Sequence, residues 1–194
     1  MCGIAGFVRS CVPDADKSIL LHMGEVMAHR GPDAHGEYLD DHVGLAHRRL
    51  SIIDLSADGN QPMTSSDCRL VIVFNGEIYN FLELRRELEE QGHVFRTRTD
   101  TEVILALYAA RGEDCLERLN GMFAFAVWDK ERKTLFLARD RIGKKPLYYW
   151  HRHGDCLAFA SEIKALLQLP GVSRDVEPTA LIDYLKYLYV PPPK

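Results

Sequence analysis

The second half of the chain carries four short apolar or aromatic segments, and a charged or glycine-containing turn separates each from the next. They are "MFAFAVWD", "TLFLARD", "PLYYW" and "CLAFA". Runs of this length, rich in β-branched and aromatic residues, are typical of strands joined as antiparallel hairpins. The helical patterns are grouped apart from these strands, so their order favours an α+β fold over alternating βαβ units. The strands are numerous enough for two sheets.

The first half of the chain mixes strand and helix patterns. "CGIAGFV" and the two halves of "EYLDDHVGLAHRRLSIID" predict strands, and the apolar spacing over residues 17–29 predicts a helix. Asn80 is the predicted N-cap of a second helix, with Glu83 completing a capping box. Asp100 is the predicted N-cap of "TEVILALYAARG", and shorter helices are expected at "SEIKALLQ" and "PTALIDYLKYL".

Length and charge exclude several classes of function. The chain has 194 residues, enough for one domain with its own core, and its net charge of −4 offers no basic surface for nucleic acid or an anionic membrane. No apolar run reaches the roughly 18 residues that span a bilayer, and no secretory signal is recognisable. A cytoplasmic location is therefore predicted, and the sequence leaves homodimer formation open.

Five cysteines are spread along the chain without a C-x-x-C pair. This spacing predicts neither a disulfide framework nor a metal site. Cys11, Cys68, Cys115 and Cys156 are interpreted as small residues that are mostly buried in the core. Cys2 has a second interpretation because of its place in the chain.

Cys2 directly follows the initiator methionine, and a residue this small permits removal of Met1. The mature residue then carries both a thiol and a free α-amine. The reactive thiolate needs a base, and an α-amine with an ordinary pKa of about 7.7–8.0 can take the thiol proton near neutrality. N-terminal threonine hydrolases use the same logic. The competing interpretation is that Cys2 is a buried strand residue.

The segment "LVIVFNGEIYN" joins two apolar runs at Asn75 and Gly76. Asn-Gly between apolar runs is a leading signal for a two-residue hairpin turn, so a turn is the simpler interpretation. The functional alternative places the Asn75 amide beside the Gly76 N–H as an oxyanion hole for a tetrahedral intermediate.

Three charged residues also have two interpretations. Arg49 follows Arg48 at the end of a predicted strand and suits a carboxylate, although an exposed arginine on a solvated face is commoner. Asp100 and Glu77 suit an ammonium group, although a helix cap explains Asp100 equally well. With a thiol nucleophile and an oxyanion site, these charges would fit an amino acid that has a side-chain amide.

Motifs spread over nearly the whole chain form a set: "MCGIAGF", "HRGPDAHG", "LAHRRLSIIDL", "NQPM", "FNGEIYN", "TDTEVIL", "GMFAFAVWD", "RDRIGKKPLYY" and "ASEIKALL". In this order they resemble the glutaminase domain of glutamine-dependent asparagine synthetases. That domain is a class II glutamine amidotransferase, one of the N-terminal nucleophile hydrolases. The resemblance implies a four-layer αββα sandwich, with two mostly antiparallel sheets between helices.

The resemblance also implies a role for each site residue. Cys2 is expected to attack the glutamine carboxamide with its own α-amine as base, while Asn75 and Gly76 stabilise the oxyanion. Water is then expected to hydrolyse the γ-glutamyl thioester. Substrate is expected to be bound by Arg49 at its carboxylate, by Asp100 at its amine with Glu77 nearby, and by the backbone of Leu50, Ile52 and Ile53.

Family members continue into a synthetase domain that adenylates aspartate with ATP and uses the ammonia. Its S-G-G-x-D-S loop has no counterpart here, so residues 1–194 are expected to be a glutamine amidotransferase type 2 domain from a longer, two-domain synthetase. ATP and magnesium are expected only in that absent domain, and this chain is expected to hold no metal or cofactor. These residues do not identify the ammonia acceptor, which can be aspartate or another carboxylate.

Two other functions stay open on the sequence alone. The chain can be a non-catalytic module that binds glutamine or docks a partner, as retention of Met1 would suggest. It can also hydrolyse a different amide, which the pairing of Arg49 with Asp100 disfavours. "RDRIGKKPLYY" is expected either to lie near the absent domain or to form a charged turn before an aromatic strand.

Overall fold

The strands pair into two antiparallel sheets in a computed structural model that describes residues 1–10, 12 and 16–191. One sheet has the order β2-β3-β1-β9-β8 and the other the order β4-β5-β6-β7. The strands are β1 (Gly3–Arg9), β2 (Ala34–Leu39), β3 (Val43–Arg49), β4 (Met63–Thr64), β5 (Leu70–Ile78), β6 (Gly121–Asp129), β7 (Thr134–Arg139), β8 (Tyr148–Arg152) and β9 (Cys156–Ala160). The helices are α1 (Asp16–Glu25), α2 (Phe81–Glu90), α3 (Asp100–Arg111), α4 (Ile163–Leu166) and α5 (Pro178–Tyr187), with 3₁₀ turns at Ala28–Arg30, Ala57–Gly59 and Gly112–Glu117.

The two sheets pack face to face, and helices cover their outer faces. Because side chains alternate along a strand, one face of each sheet enters a shared central layer and the other meets helices. Helices α1 and α4 cover the β1 sheet, while α2 and α3 cover the β5 sheet. The predicted four-layer α+β sandwich is confirmed. The central layer contains Ile4, Val43, Leu45, Val71, Val73, Ala124, Ala126, Trp128 and Phe159.

The hairpin-turn interpretation of Asn75 and Gly76 is wrong. Both residues lie inside the continuous strand β5, paired with Ala124 and Phe123 of β6. Gly76 is not among the glycines of positive φ, which a two-residue turn would require. A Cβ at Gly76 would lie 2.3 Å from the carbonyl oxygen of Met122, so close strand packing explains the glycine.

Asn80 is the N-cap residue of α2, as predicted, but without a capping hydrogen bond, and the predicted cap of α3 at Asp100 is wrong. The Asn80 side chain makes no capping bond to α2; its amide nitrogen donates to the Arg118 carbonyl at 2.9 Å. The capping box with Glu83 is therefore absent at this helix end. The N-cap of α3 is Thr99, whose hydroxyl accepts from the backbone of the third helical residue. Asp100 is the first helical residue, and this frees its carboxylate for another role.

The cysteine prediction holds in part. Cys115 and Cys156 are buried, as predicted, whereas Cys68 is exposed in the turn before β5, where its φ is 60°. Cys11 lies outside the described residues.

None of the helices in the described ranges combines the length and apolarity needed to traverse a bilayer.

Candidate active site

A cleft opens at one end of the central layer, and strand alternation brings the predicted residues to it. Side chains two positions apart along a strand lie on the same face. Cys2 therefore lies on the face of Ile4, and Asn75 on the face of Val73, both of which point into the central layer. Arg49 ends the inward-facing series of β3. All the predicted site residues line this cleft: Cys2, Arg49, Leu50, Ile52, Ile53, Asn75, Gly76, Glu77 and Asp100.

The thiol of Cys2 lies against the backbone of the segment that follows β3. The Leu50 N–H donates to Cys2 Sγ at 3.4 Å, and Sγ lies 3.7 Å from the Leu50 carbonyl oxygen. The Arg30 guanidinium donates to the Cys2 carbonyl at 2.9 Å and holds the residue from the other side. Cys2 is only partly buried and lines the cleft. Its interpretation as a buried strand residue is therefore wrong, and a ligand in the cleft can reach the sulfur.

The edge of β5 that faces the cleft is defined by its hydrogen-bond pattern. Tyr79 donates its N–H to the Asn120 carbonyl at 2.8 Å, so the odd-numbered residues of this strand pair with β6. The even-numbered residues direct their N–H groups to the opposite edge. There the Phe74 N–H donates to Gln61 Oε1 at 2.6 Å, and the Ile78 N–H donates to Asp100 Oδ2 at 3.0 Å.

Gly76 lies between these two satisfied donors. Its N–H points to the same edge, and in the described part of the chain no acceptor engages it. Beside it, the amide nitrogen of Asn75 is buried and has no hydrogen-bond partner among the described residues. Buried donors are rarely left unpaired in folded proteins. Two adjacent unengaged donors on a cleft next to a thiol form the arrangement that an oxyanion requires.

Arg49 is a buried cation that no described carboxylate neutralises. It is 6% exposed, which rules out the interpretation as a solvated surface arginine. Its guanidinium donates to the Ser56 carbonyl at 2.7 Å and to Asn60 Oδ1 at 2.8 Å, and also to the Asp54 carbonyl. These neutral acceptors orient the group. No described carboxylate forms an ion pair with it, although its charge contributes to the lowered pKa of Asp54. Arg48, on the opposite face, instead donates to the Gly24 carbonyl of α1.

Asp100 is the opposite case, a buried carboxylate without a cationic partner in the described ranges. It is 4% exposed. Burial raises the pKa of Asp100 to about 6. The hydrogen bond from the Ile78 N–H lowers this pKa, and the negative charge of Glu77 raises it further. A buried cation and a buried anion that both line one cleft suit a ligand that carries both charges, such as a free amino acid.

Sequence reasoning missed several lining residues, among them Gln61, Thr101, Met122 and Lys145. Gln61 belongs to the motif "NQPM" and Lys145 to "RDRIGKKPLYY". Both motifs are recognisable in the sequence, but they predict no role for these two residues. The turn interpretation of the second motif is confirmed. The Asp140 carboxylate accepts N–H bonds from Phe123 and from Lys145, and so fixes the connection between β7 and β8.

Comparisons with known proteins agree with this geometry. A family model described as a glutamine amidotransferase domain matches residues 1–194. The glutamine-hydrolysing asparagine synthetase 1 of Bacillus subtilis is 43% identical, over 100% of this chain and 30% of its own length. A putative asparagine synthetase of Methanocaldococcus jannaschii is 37% identical, over 100% of this chain and 40% of its own. Amidase chry2 of Gibberella zeae is 41% identical, over 86% of this chain and 26% of its own.

A solved structure supports the same assignment at the level of the fold. The glutamine phosphoribosylpyrophosphate amidotransferase of B. subtilis superposes with a TM-score of 0.66 and 25% identity, covering 85% of this chain and 43% of that protein. The chain thus spans less than half the length of each of these proteins. The family match over its whole length confirms the resemblance seen in the motifs, and this chain belongs to the glutamine amidotransferase family.

Proposed function

We propose that this chain hydrolyses the side-chain amide of glutamine to glutamate and ammonia, with Cys2 as nucleophile. The observation that carries the proposal is the pair of unengaged donors, the Asn75 amide and the Gly76 N–H, on the cleft that Cys2 lines. The buried charges of Arg49 and Asp100, neither of which forms an ion pair with a described residue, support glutamine as the substrate, because they match its α-carboxylate and α-ammonium groups.

The proposed reaction has two covalent steps. After removal of Met1, the α-amine of Cys2 takes the thiol proton, and the sulfur attacks the carboxamide carbon. The Asn75 amide and the Gly76 N–H stabilise the resulting oxyanion. The α-ammonium then protonates the leaving nitrogen, the C–N bond breaks, and ammonia departs from a γ-glutamyl thioester. Water, deprotonated by the same amine, attacks the thioester; the C–S bond breaks, and glutamate and the thiol are released.

We propose that the ammonia serves an amide-forming synthetase domain in a longer protein. Support comes from relatives named as glutamine-hydrolysing asparagine synthetases, which extend well beyond the matched region. Aspartate is then one acceptor, and another carboxylate is the alternative. ATP and magnesium would be needed only by that domain, since the proposed hydrolysis uses groups of this chain alone.

A glutamine-shaped electrophile tests the proposed nucleophile and substrate together. We expect intact mass to show loss of Met1 and, after treatment with a glutamine analogue that carries a diazoketone, a single adduct on Cys2. The exposed Cys68 is an internal control, because a small neutral alkylating agent should modify it while the analogue should not. Glutamate should protect Cys2 from the analogue. Retained Met1 with an unmodified Cys2 would indicate a non-catalytic binding module. Equal labelling by a diazoketone analogue whose α-amine and α-carboxylate are blocked would indicate another amide substrate.

The raised pKa of Asp100 predicts that glutamine binding weakens in mild acid. Only the ionised carboxylate can pair with the α-ammonium, so below pH 6 the Kd should rise about tenfold per pH unit. Calorimetric titration of glutamine into a Cys2→Ala variant measures Kd without turnover. Asp100→Asn keeps an acceptor for the Ile78 N–H and should bind weakly, with a flat Kd between pH 7.5 and 5. A Kd that does not change with pH in the Cys2→Ala protein with Asp100 intact would contradict the role of Asp100.

A further inference from the structure

Strand β5 has an unusual edge where it approaches the cleft. Its neighbour β4 is only two residues long and pairs with Val71 and Ile72 alone. Beyond Ile72 the edge therefore has no neighbouring strand. Buried backbone groups without partners are costly, so the next donors and acceptors along this edge need another solution.

Side chains take the place of the missing strand at Phe74. The Phe74 N–H donates to Gln61 Oε1 at 2.6 Å, and the Phe74 carbonyl accepts from His47 Nε2 at 3.1 Å. Both side chains are buried, with Gln61 7% and His47 1% exposed. The two peptide groups that flank Phe74 are thus held by one side chain each, and the second of these peptide groups leads directly into Asn75.

His47 is suited to this contact in its neutral form. A carbonyl oxygen only accepts hydrogen bonds, so Nε2 carries the hydrogen. Complete burial lowers the pKa of His47 to about 4, which keeps the ring neutral at physiological pH. His47 belongs to the β1 sheet and Phe74 to the β5 sheet, so this bond also crosses the central layer.

Gln61 extends the contact to the helix that carries Asp100. Its amide nitrogen donates to Thr101 Oγ1 at 3.1 Å. Asp100, the residue before Thr101, accepts from the Ile78 N–H at 3.0 Å. The edge of β5 is therefore fastened on both sides of Gly76, at Phe74 and at Ile78, and the Gly76 N–H between them stays unengaged.

We propose that Gln61 and His47 are positioning residues that hold the Phe74–Gly76 backbone so that the Asn75 amide and the Gly76 N–H converge on the oxyanion. This inference rests on the proposed glutaminase function. Neither residue needs to touch substrate for this role. A displacement of these donors by roughly 1 Å is enough to lower the rate by about 100-fold, since oxyanion stabilisation depends on preset geometry.

Paired substitutions separate positioning from simple support of the fold. Gln61→Met matches the glutamine in shape but cannot hydrogen-bond, whereas Gln61→Glu keeps an acceptor for the Phe74 N–H. His47→Phe keeps the ring shape without a donor, whereas His47→Gln places an amide N–H near the position of Nε2. Gln168→Leu is a remote control, because the Gln168 side chain donates to the Lys164 carbonyl at 3.0 Å next to α4 and does not line the cleft.

Three readouts are compared for each variant: kcat for glutamine, the Kd of glutamate, and inhibition by glutamate γ-semialdehyde. The aldehyde forms a hemithioacetal with the thiol, and its oxygen occupies the oxyanion position. We expect Gln61→Met and His47→Phe to lower kcat about 10- to 100-fold and to weaken aldehyde inhibition in parallel. The Kd of glutamate should change less than about threefold, because it is set by the charged groups. In Gln61→Glu and His47→Gln, kcat and the affinity for the aldehyde should be at least about tenfold higher than in Gln61→Met and His47→Phe, respectively.

The outcomes distinguish this inference from the proposed function. If the parent protein hydrolyses glutamine but Gln61→Met and His47→Phe retain its kcat and aldehyde affinity, positioning is overturned and the glutaminase function stands. Loss of kcat without weaker aldehyde inhibition, or equal losses in both members of a pair, would also overturn it. A parent that neither hydrolyses glutamine nor binds the aldehyde overturns the function, and the inference with it.

Discussion

Replacing Cys2 by alanine is expected to abolish glutamine hydrolysis. Removal of a nucleophile that acts as one unit with its base typically lowers kcat by about 10,000-fold or more. The fold should persist, because Cys2 is partly exposed and its sulfur makes only weak contacts, at 3.4 and 3.7 Å, with the Leu50 backbone. Release of glutamate from glutamine, followed over hours, measures the effect. Cys68→Ser should retain the parental rate, since Cys68 is exposed and does not line the cleft.

The role of the α-amine is tested on the same residue. A variant with one additional residue between Met1 and Cys2 keeps the thiol but converts its amine into an amide nitrogen, which cannot act as a base. Its activity should fall to the level of Cys2→Ala. Full activity in this variant would assign the base to another group, and equal turnover by Cys2→Ala and the parent would remove Cys2 from the reaction altogether.

Replacing Asn75 by alanine is expected to lower kcat about 100- to 1,000-fold, as loss of one oxyanion donor does elsewhere. KM should change little, because the charged ends of glutamine are bound by other groups. Stability should also change little, because the Asn75 amide nitrogen has no partner among the described residues and its removal breaks no donated bond. Steady-state kinetics and thermal unfolding of the same samples measure both effects.

Asn80 is a matched control for this prediction. Its side chain donates to the Arg118 carbonyl at 2.9 Å and accepts from the Asn120 N–H at 3.1 Å, and it lies outside the lining of the cleft. Asn80→Ala should therefore lower the free energy of unfolding by about 1–3 kcal/mol with kcat unchanged. If instead Asn75→Ala destabilises the protein and retains kcat, the amide of Asn75 is structural and the oxyanion assignment fails.

Much of the fold was predictable because its signals are local. The strands of the second half, from "MFAFAVWD" to "CLAFA", appear as β6 to β9, and Gly112, which ends "TEVILALYAARG", is the C-cap of α3. The errors concern partners that lie far away in the chain. Asn80 has the right spacing for a capping box, but Arg118 and Asn120 compete for its side chain. Such competition cannot be read from neighbouring residues.

The error at Asn75 and Gly76 has the same origin. Asn-Gly between apolar runs has a strong local preference for a turn. In this protein both runs pair with the single strand β6, and the paired backbone overrides that preference. The glycine remains necessary for a different reason, since the Met122 carbonyl leaves no space for a side chain there.

The sequence by itself determined which side chains share a strand face and which residues carry the reactive groups, because alternation along a strand and the chemistry of each side chain are local properties. Only the tertiary structure decided that Cys2, Arg49 and Asn75 meet at one end of the central layer, since that depends on sheet order and register. It also decided which donors stay free. Gln61 and Asp100 satisfy the backbone on both sides of Gly76. The Gly76 N–H is left available because hydrogen-bond satisfaction is set by distant neighbours.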